Sequence, residues 1–335
     1  MALLSIRDLS VHYRTDRGIT RAVDGASFDV PEGQIVGLVG ESGCGKTTVA
    51  RAITGIMPKN ARFAGGRIEF QGRDLLTADR GTLKDHLWRD ISFIPQSAMN
   101  SLDPVYRVGA QIREVLTLRG GHDKKKAEAR AIELFDMVGL DPGRLRDYPH
   151  QFSGGMRQRA AIALALALNP RLVIADEPVT ALDVIVQRQV LDTLKSLQSR
   201  FNLSVILVTH DISVIAYVAD QVVVMYAGQV VEAGPTAEVL DAPNHPYTMG
   251  LYNAFPDLAS SASDLAPING NPPDLSQPLA GCRFAPRCPF ALDPCRNEGA
   301  LARFDDYARQ AACLRTSEAA MLRRRAKEPA TWLRT

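Results

Sequence analysis

Gly40-Glu41-Ser42-Gly43-Cys44-Gly45-Lys46-Thr47 fits the pattern G-x-x-x-x-G-K-[ST]. Glycines let a backbone wrap closely around phosphate oxygens. The N–H groups then converge at a helix N-terminus, whose dipole favours anions. Lys46 can reach the β- and γ-phosphates of a nucleoside triphosphate, and the Thr47 hydroxyl can ligate Mg²⁺, with Thr48 next to it. The apolar run QIVGLVG before this loop and the helical TTVARAITGI after it supply the strand–loop–helix context that a plain glycine-rich turn lacks. Cys44 reads as loop filler rather than a redox sensor. A second element carries two acids. Leu172-Val173-Ile174-Ala175-Asp176-Glu177 is an apolar strand ending in carboxylates, which puts Asp176 at the sheet edge where α/β folds bind ligands. Asp176 can hold Mg²⁺, directly or through water, and Glu177 can polarise an attacking water. Two such acids alone also suit a helix N-cap region; the phosphate loop upstream favours the catalytic reading. A third element, Ser153-Gly154-Gly155, opens the helix RQRAAIALALALNP. A serine hydroxyl, glycine N–H groups and a helix N-terminus make a second anion site.

The elements that must position these residues follow from the pattern. The chain has 335 residues, 46% hydrophobic and 23% charged, with net charge +2. That composition suits a globular protein of roughly two domains and does not indicate a broadly basic nucleic-acid binder. Lys124-Lys125-Lys126 reads as a solvated helix face. No segment reaches the ~18–20 apolar residues of a membrane helix, and Ala160–Leu168 suits a buried one. The start, MALLSIRDLSVHY, is not a secretory signal. The protein is therefore expected in the cytoplasm, which argues against structural disulfides among its five cysteines. Up to about Gln96, short alternating runs precede a continuous apolar one, which predicts an antiparallel edge sheet feeding a buried parallel strand. Residues 97–152 are helical in pattern; Ala127, Ile132, Leu134, Phe135 and Val138 recur at rough helical spacing. RLVIAD and SVILVTH then read as buried strands, and QVVVMYAGQVVEAG as a strand pair around Ala227-Gly228. From Phe255 to Gly281, Pro, Ser, Asn and Asp dominate, as in a linker.

Phe152-Ser153-Gly154-Gly155-Met156, just upstream of the two acids, resembles the LSGGQ signature of ATP-binding-cassette (ABC) ATPases. Phe152 and Met156 depart conservatively from its first and last letters. The resemblance implies an α/β phosphate-loop NTPase cassette spanning residues 1–254: a mixed core sheet, an antiparallel β subdomain and a helical subdomain at about 97–165. It implies cassettes paired head to tail, each ATP held between one phosphate loop and the partner's signature. Within it Gln96 resembles the Q-loop glutamine, sensing Mg²⁺ and the membrane partner. Thr180-Ala181-Leu182-Asp183 resembles the D-loop, with Asp183 at the dimer seam. His210, which alone would read as an ordinary strand end, resembles the switch histidine that contacts the γ-phosphate. Tyr13 is the candidate aromatic for stacking on adenine, while His12 falls on the opposite strand face. Lys46, Glu177 and His210 are thus the implied catalytic set. The cofactors implied are ATP and Mg²⁺.

The tail narrows the resemblance. Asn244-His245-Pro246-Tyr247-Thr248 and the run Cys282-Arg283-Phe284-Ala285-Pro286-Arg287-Cys288-Pro289 are similar to the C-terminal region of oligopeptide/dipeptide importer ATPases. Residues 255–335 are then a small cysteine-bearing module. Members of that group carry a [4Fe–4S] cluster or its cysteines, which implies Cys282, Cys288, Cys295 and Cys313 as ligands. Four thiolates are chemically sufficient, and the spacing lacks the short knuckles of common zinc sites. Zinc and unligated buried cysteines stay open, and a structural role is favoured over a redox-regulatory one. The partners implied are a second ABC ATPase chain, two membrane permeases and an extracytoplasmic solute-binding protein, at the cytoplasmic face of the membrane. A heterodimer is favoured, and a homodimer is permitted. Peptide is the implied cargo. FIPQSAMNSLDPV departs from the FQDP pattern of peptide importers, so nickel or oligosaccharide stays open. A soluble ABC ATPase acting on nucleic acid or ribosomes is the remote alternative.

Overall fold

Strand β1 (Ala2–Thr15) buries Leu4 and Ile6, then Leu9 and Val11. The inward set changes parity between Ile6 and Leu9. A strand's side-chain period is two, so this switch needs one extra residue. The register against β4 (Ala61–Phe70) shifts between Arg7 and Ser10, and Asp8 there has φ 49°. Both halves of β1 therefore keep their apolar side chains on the core. The computed structural model describes residues 2–16, 18–77, 86–96, 101–253, 267–277, 279–297 and 309–332. The expected boundary at 254–255, residues 255–266 and 278 of the linker, and Ser97–Asn100 of the FIPQSAMNSLDPV segment lie outside the described residues.

The chain divides into two compact units. The first holds residues 1–30, 36–76 and 209–335. In it β2 (Gly18–Pro31), β1, β4 and β5 (Arg73–Asp74) form an antiparallel sheet in the order β2-β1-β4-β5. This is the expected edge sheet. Strand β3 (Ile35–Val39) is buried throughout and ends at the phosphate loop, which opens helix α1 (Lys46–Thr54).

The second unit holds residues 31–35 and 77–208. β6 (Ile91–Ile94), β7 (Leu172–Asp176) and β8 (Ser204–Thr209) are parallel, with Ile91 opposite Leu172 and Asp176 opposite Val208. The helices between β6 and β7 are α2 (Val108–Leu118), α3 (Lys124–Met137) and α4 (Gly154–Ala165). Helix α5 (Val184–Phe201) links β7 to β8. In α3 the apolar stripe differs from the expected one by a residue. Ile132 is exposed, and Ala131 faces inward with Ala127, Leu134 and Phe135. A 3.6-residue period places 127, 131 and 134–135 on one stripe, and leaves 132 at its edge.

The first unit continues with α6 (Ile212–Val218), β9 (Gln221–Tyr226), β10 (Gln229–Pro235), α7 (Thr236–Asp241) and α8 (Pro246–Asn253). β9 runs parallel to β3, and β10 returns antiparallel. Ala227 and Gly228 have φ 48° and 86°, so the hairpin turns through two left-handed residues, as a tight turn between twisted strands requires. The tail packs into this same unit through α9 (Asp293–Asn297), the short strand β11 (Gln310–Ala311) on β10, α10 (Ala319–Ala326) and α11 (Pro329–Trp332). Trp332 is 1% exposed and donates its indole N–H to the Ala326 carbonyl at 2.8 Å. A Cβ on Gly250 would lie 2.7 Å from the Trp332 ring. That close approach of α8 to an aromatic anchor holds α11 in place.

Candidate functional site

The phosphate loop is shaped by its neighbours within the first unit. Gly40 has φ 153° and Gly45 φ 108°. A Cβ on Gly45 would lie 2.4 Å from the Ala22 carbonyl, and one on Gly40 2.1 Å from the Met225 carbonyl. Glycine is required at both by conformation and by space. The Cys44 carbonyl accepts from Gly228 N–H at 2.9 Å, so the β9–β10 turn braces the loop. Lys46 is 6% exposed, and its Nζ donates to the Gly40 carbonyl at 2.7 Å and the Glu41 carbonyl at 3.0 Å. Burial pushes the Cys44 thiol up, against the opposing pull of Lys46. This leaves Cys44 a poor thiolate and supports its reading as loop filler. The Tyr13 hydroxyl lies 3.2 Å from Thr48 Oγ1, which brings the candidate adenine aromatic to the start of α1. His210 follows β8 and is exposed; Thr209 Oγ1 accepts from the Asp211 N–H at 3.0 Å in the same turn.

The second unit gathers three of the expected residues. Asp176 ends β7 and is 1% exposed. Glu177 follows with φ 50°, a left-handed conformation uncommon outside glycine and concentrated at functional sites. Its carboxylate is held from two sides. Gln96 donates to Glu177 Oε2 at 2.8 Å, and the Thr180 hydroxyl donates to the same oxygen at 3.0 Å. The Glu177 N–H binds the Val208 carbonyl at 2.8 Å. Two expected ligand residues also serve local structure. Ser153 caps α4, accepting from Met156 N–H at 3.3 Å, and Asp183 caps α5, accepting from Val186 N–H at 2.9 Å. Each cap satisfies a backbone N–H at the start of its helix. A Cβ on Gly155 would lie 2.3 Å from Val186 Cγ1, so this glycine also permits α4 to approach α5. Phe152 is a core residue, 4% exposed and edge-to-face with Phe135 at 6.4 Å.

The four tail cysteines all line one pocket, with His245, Phe284, Phe290 and Arg315 among the other walls. The Cys282 N–H donates to the Cys295 carbonyl at 2.8 Å, and Arg315 N–H reaches Cys313 Sγ at 3.4 Å. Burial pushes Cys288 up to about 12 and Cys313 up to about 11, and raises Cys282. Such thiols stay protonated unless a cation stabilises the thiolate. Among the described residues, however, no three or more His, Cys, Asp or Glu side chains are gathered as ligands for a metal ion. The expected [4Fe–4S] centre at Cys282, Cys288, Cys295 and Cys313 is therefore not seen as a formed ligand set among the described residues. A zinc ion needs sulfurs at about 2.3 Å from one point, and the cysteines line the pocket without closing on such a point.

Sequence reasoning missed the arginines of this run. Arg283 donates to the Ala227 carbonyl and to Asp24. Arg287 forms a fork on Glu41 of the phosphate loop, at 2.8 and 3.0 Å. Tyr247, from the HPYT segment, accepts from the Glu41 N–H at 2.9 Å. The available signal was two arginines four residues apart inside an otherwise apolar cysteine run.

Over residues 23–180 the sequence matches the ABC transporter family, and over 231–295 the oligopeptide/dipeptide transporter C-terminal region. It is 45% identical to the dipeptide transport ATP-binding protein DppD of Bacillus subtilis, over 88% of this chain and 88% of that protein. The chain belongs to the ABC transporter family. The oligopeptide transport ATP-binding protein OppD of Salmonella typhimurium is 43% identical to this ABC protein, over 94% of each chain. Among solved structures, a dimeric ATP-binding cassette in a post-hydrolysis state with ADP and Pi superposes with a TM-score of 0.63 at 26% identity, covering 70% of this chain and 98% of that one. The protein is accordingly an ABC ATPase with the phosphate-loop cassette fold. Among its described residues no helix is long and apolar enough to cross a membrane.

Proposed function

We infer that this ABC ATPase drives uptake of peptides through partner permeases, acting from the cytoplasmic face of the membrane. The observation that carries the catalytic reading is Glu177, a left-handed residue whose carboxylate is oriented by Gln96 and Thr180. A general base must present its carboxylate to water at a set angle, and the Gln96 and Thr180 donors on Oε2 fix that angle. Phosphoryl transfer depends chiefly on positioning and charge stabilisation. Lys46 and the loop N–H groups bind the phosphates, Glu177 orients water, and His210 meets the γ-phosphate. Ser153, Gly154 and Gly155 serve the ATP held by the partner cassette, Asp183 lies at the seam, and Tyr13 stacks on adenine. Mg²⁺, when bound, neutralises charge on the phosphate oxygens; Thr47, Gln96 and Asp176 would hold it, and a carboxylate 1% exposed at a strand end suits that task.

Residues 1–254 form the cassette in this reading, and 255–335 the tail module. Cys282, Cys288, Cys295 and Cys313 hold a [4Fe–4S] cluster. Its support is the shared pocket, since a cluster spreads its thiolates around a larger core than a single ion does. The partner cassette is a related, distinct chain. Peptide cargo is supported by the peptide-transport relatives. The test has two arms. Glu177→Gln should retain MgATP binding and lose nearly all turnover; wild-type hydrolysis would move the base elsewhere. Ligand screening of the companion solute-binding protein should return short peptides. Nickel or an oligosaccharide would reassign the cargo, and absence of any permease partner would sink the transport reading.

A further inference from the structure

We propose that Arg287 is a positioning residue for nucleotide binding, so that the cysteine-bearing tail is a working part of the phosphate site. The proposal rests on the ATPase reading given above.

Glu41 is the second residue of the phosphate loop, and it is held at three points. Its N–H donates to the Tyr247 hydroxyl at 2.9 Å. Its carbonyl accepts from Lys46 Nζ at 3.0 Å and from Cys44 N–H at 3.2 Å. Its carboxylate takes the two-pronged fork of Arg287. Moving Glu41 therefore moves the carbonyl on which Lys46 rests.

Arg287 is itself fully engaged. Nε donates to the Asn269 carbonyl at 2.9 Å, Nη1 to Glu41 and to the Tyr226 hydroxyl at 3.2 Å, and Nη2 to Glu41 and to the Ile268 carbonyl at 3.2 Å. Its side chain is 7% exposed. A guanidinium with every edge committed is fixed in direction, and bidentate contact to a carboxylate is specific in angle as well as charge. Phe284, three residues earlier, packs against the rings of Tyr226 and Tyr247 at 5.2 and 5.4 Å. The clamp thus comes from the seven-residue run that also carries Cys282 and Cys288.

Electrostatics gives the clamp its purpose. A loop that binds polyphosphate carries a carboxylate at its second position. Unpaired, that charge repels the ligand. Arg287 pairs that charge, while the Glu41 backbone stays in place for the loop. Arg287 touches no phosphate-binding atom directly and is remote in sequence from Glu177. Its loss should weaken nucleotide binding more than the chemical step.

The experiment measures MgATP affinity, KM and kcat for the full chain and its variants, with circular dichroism and thermal melting as checks of folding. Arg287→Gln should raise KM about tenfold, within the usual range of coupling between linked sites, with kcat changed less than about twofold. Adding Glu41→Gln removes the stranded charge, and KM should return to within about threefold of the native value. Arg287→Lys keeps the charge and loses the fork; it covers the case in which the glutamine variant does not fold, and KM should still rise. A native KM in a folded Arg287→Gln or Arg287→Lys chain would overturn the clamp alone, as would failure of Glu41→Gln to restore binding. A native chain that neither binds nor hydrolyses MgATP would overturn the clamp and the ATPase reading together.

Discussion

Gly155→Ala separates two roles that one glycine plays. Gly155 lies in the turn at the start of α4 that we propose binds the partner-held ATP, and it also faces Val186 on α5. An added methyl would stand 2.3 Å from Val186 Cγ1. Ordinary carbon–carbon contact is about 3.5–4.0 Å, so the helices must part by roughly 1 Å or Val186 must leave its rotamer. Overpacking of that kind costs about 1–3 kcal/mol, which for a unit of this size lowers the melting midpoint by roughly 2–10 °C. Backbone conformation adds no penalty, because Gly155 sits in the first turn of a helix, where alanine is favoured. Alanine also keeps the N–H that a partner-held phosphate would use. Val186 is half-buried, so trimming it to alanine removes the clash at small cost. Thermal melting and steady-state ATPase rates of Gly155→Ala, Val186→Ala and the double variant form the cycle. The single glycine variant should lose stability and turnover, and the double should recover most of both. Full stability in Gly155→Ala, or no recovery in the double, would refute the packing argument. Recovery of stability without turnover would mean the phosphate needs the space the methyl takes.

Other outcomes are open to measurement. Lys46→Ala should abolish MgATP binding in equilibrium titration, since its ammonium is the loop's one charged phosphate ligand in this reading; unaltered affinity would refute that role. His245 is buried, and burial lowers it to about 3 from an ordinary 6.5. Below 6.5 the unfolded chain takes up a proton that the folded chain refuses, so stability falls as pH drops from 6.5 towards 3. The loss at pH 5 should be about 2 kcal/mol. His245→Asn keeps an acceptor for the Tyr247 N–H, which now donates to Nδ1 at 3.0 Å, and should flatten that dependence in denaturant titrations; an unchanged slope would point to other groups. Anaerobically purified protein should be brown with visible charge-transfer absorbance, and lack of both, with no bound iron, would remove the cluster.

The phosphate loop was legible because its chemistry is contiguous: eight neighbouring residues carry the glycines, the lysine and the threonine. The strands β3, β7 and β8 were legible for a related reason, since burial on both faces writes itself as an unbroken apolar run. The helix α3 was readable as a helix, but its inward residue is Ala131 and not the more apolar Ile132, because the 3.6-residue period from Ala127, and not side-chain size, sets the stripe. Ser153, Gly155 and Asp183 were visible as ligand candidates. Their second duties, capping and close packing, depend on helices that only meet after folding.

The amino-acid sequence alone determined the nucleotide chemistry, the strand–loop–helix that bears it and the four cysteines that converge in the tail. Tertiary structure decided what holds that chemistry still. Gln96 reaches Glu177 across a separation of 81 residues, and Arg287 reaches Glu41 across 246. No periodicity or spacing rule links such pairs. The buried Arg287 must find a partner for its charge, the Gln96–Glu177 bond is exposed, and in both the partner is whichever complementary group the folded backbone brings within hydrogen-bond reach.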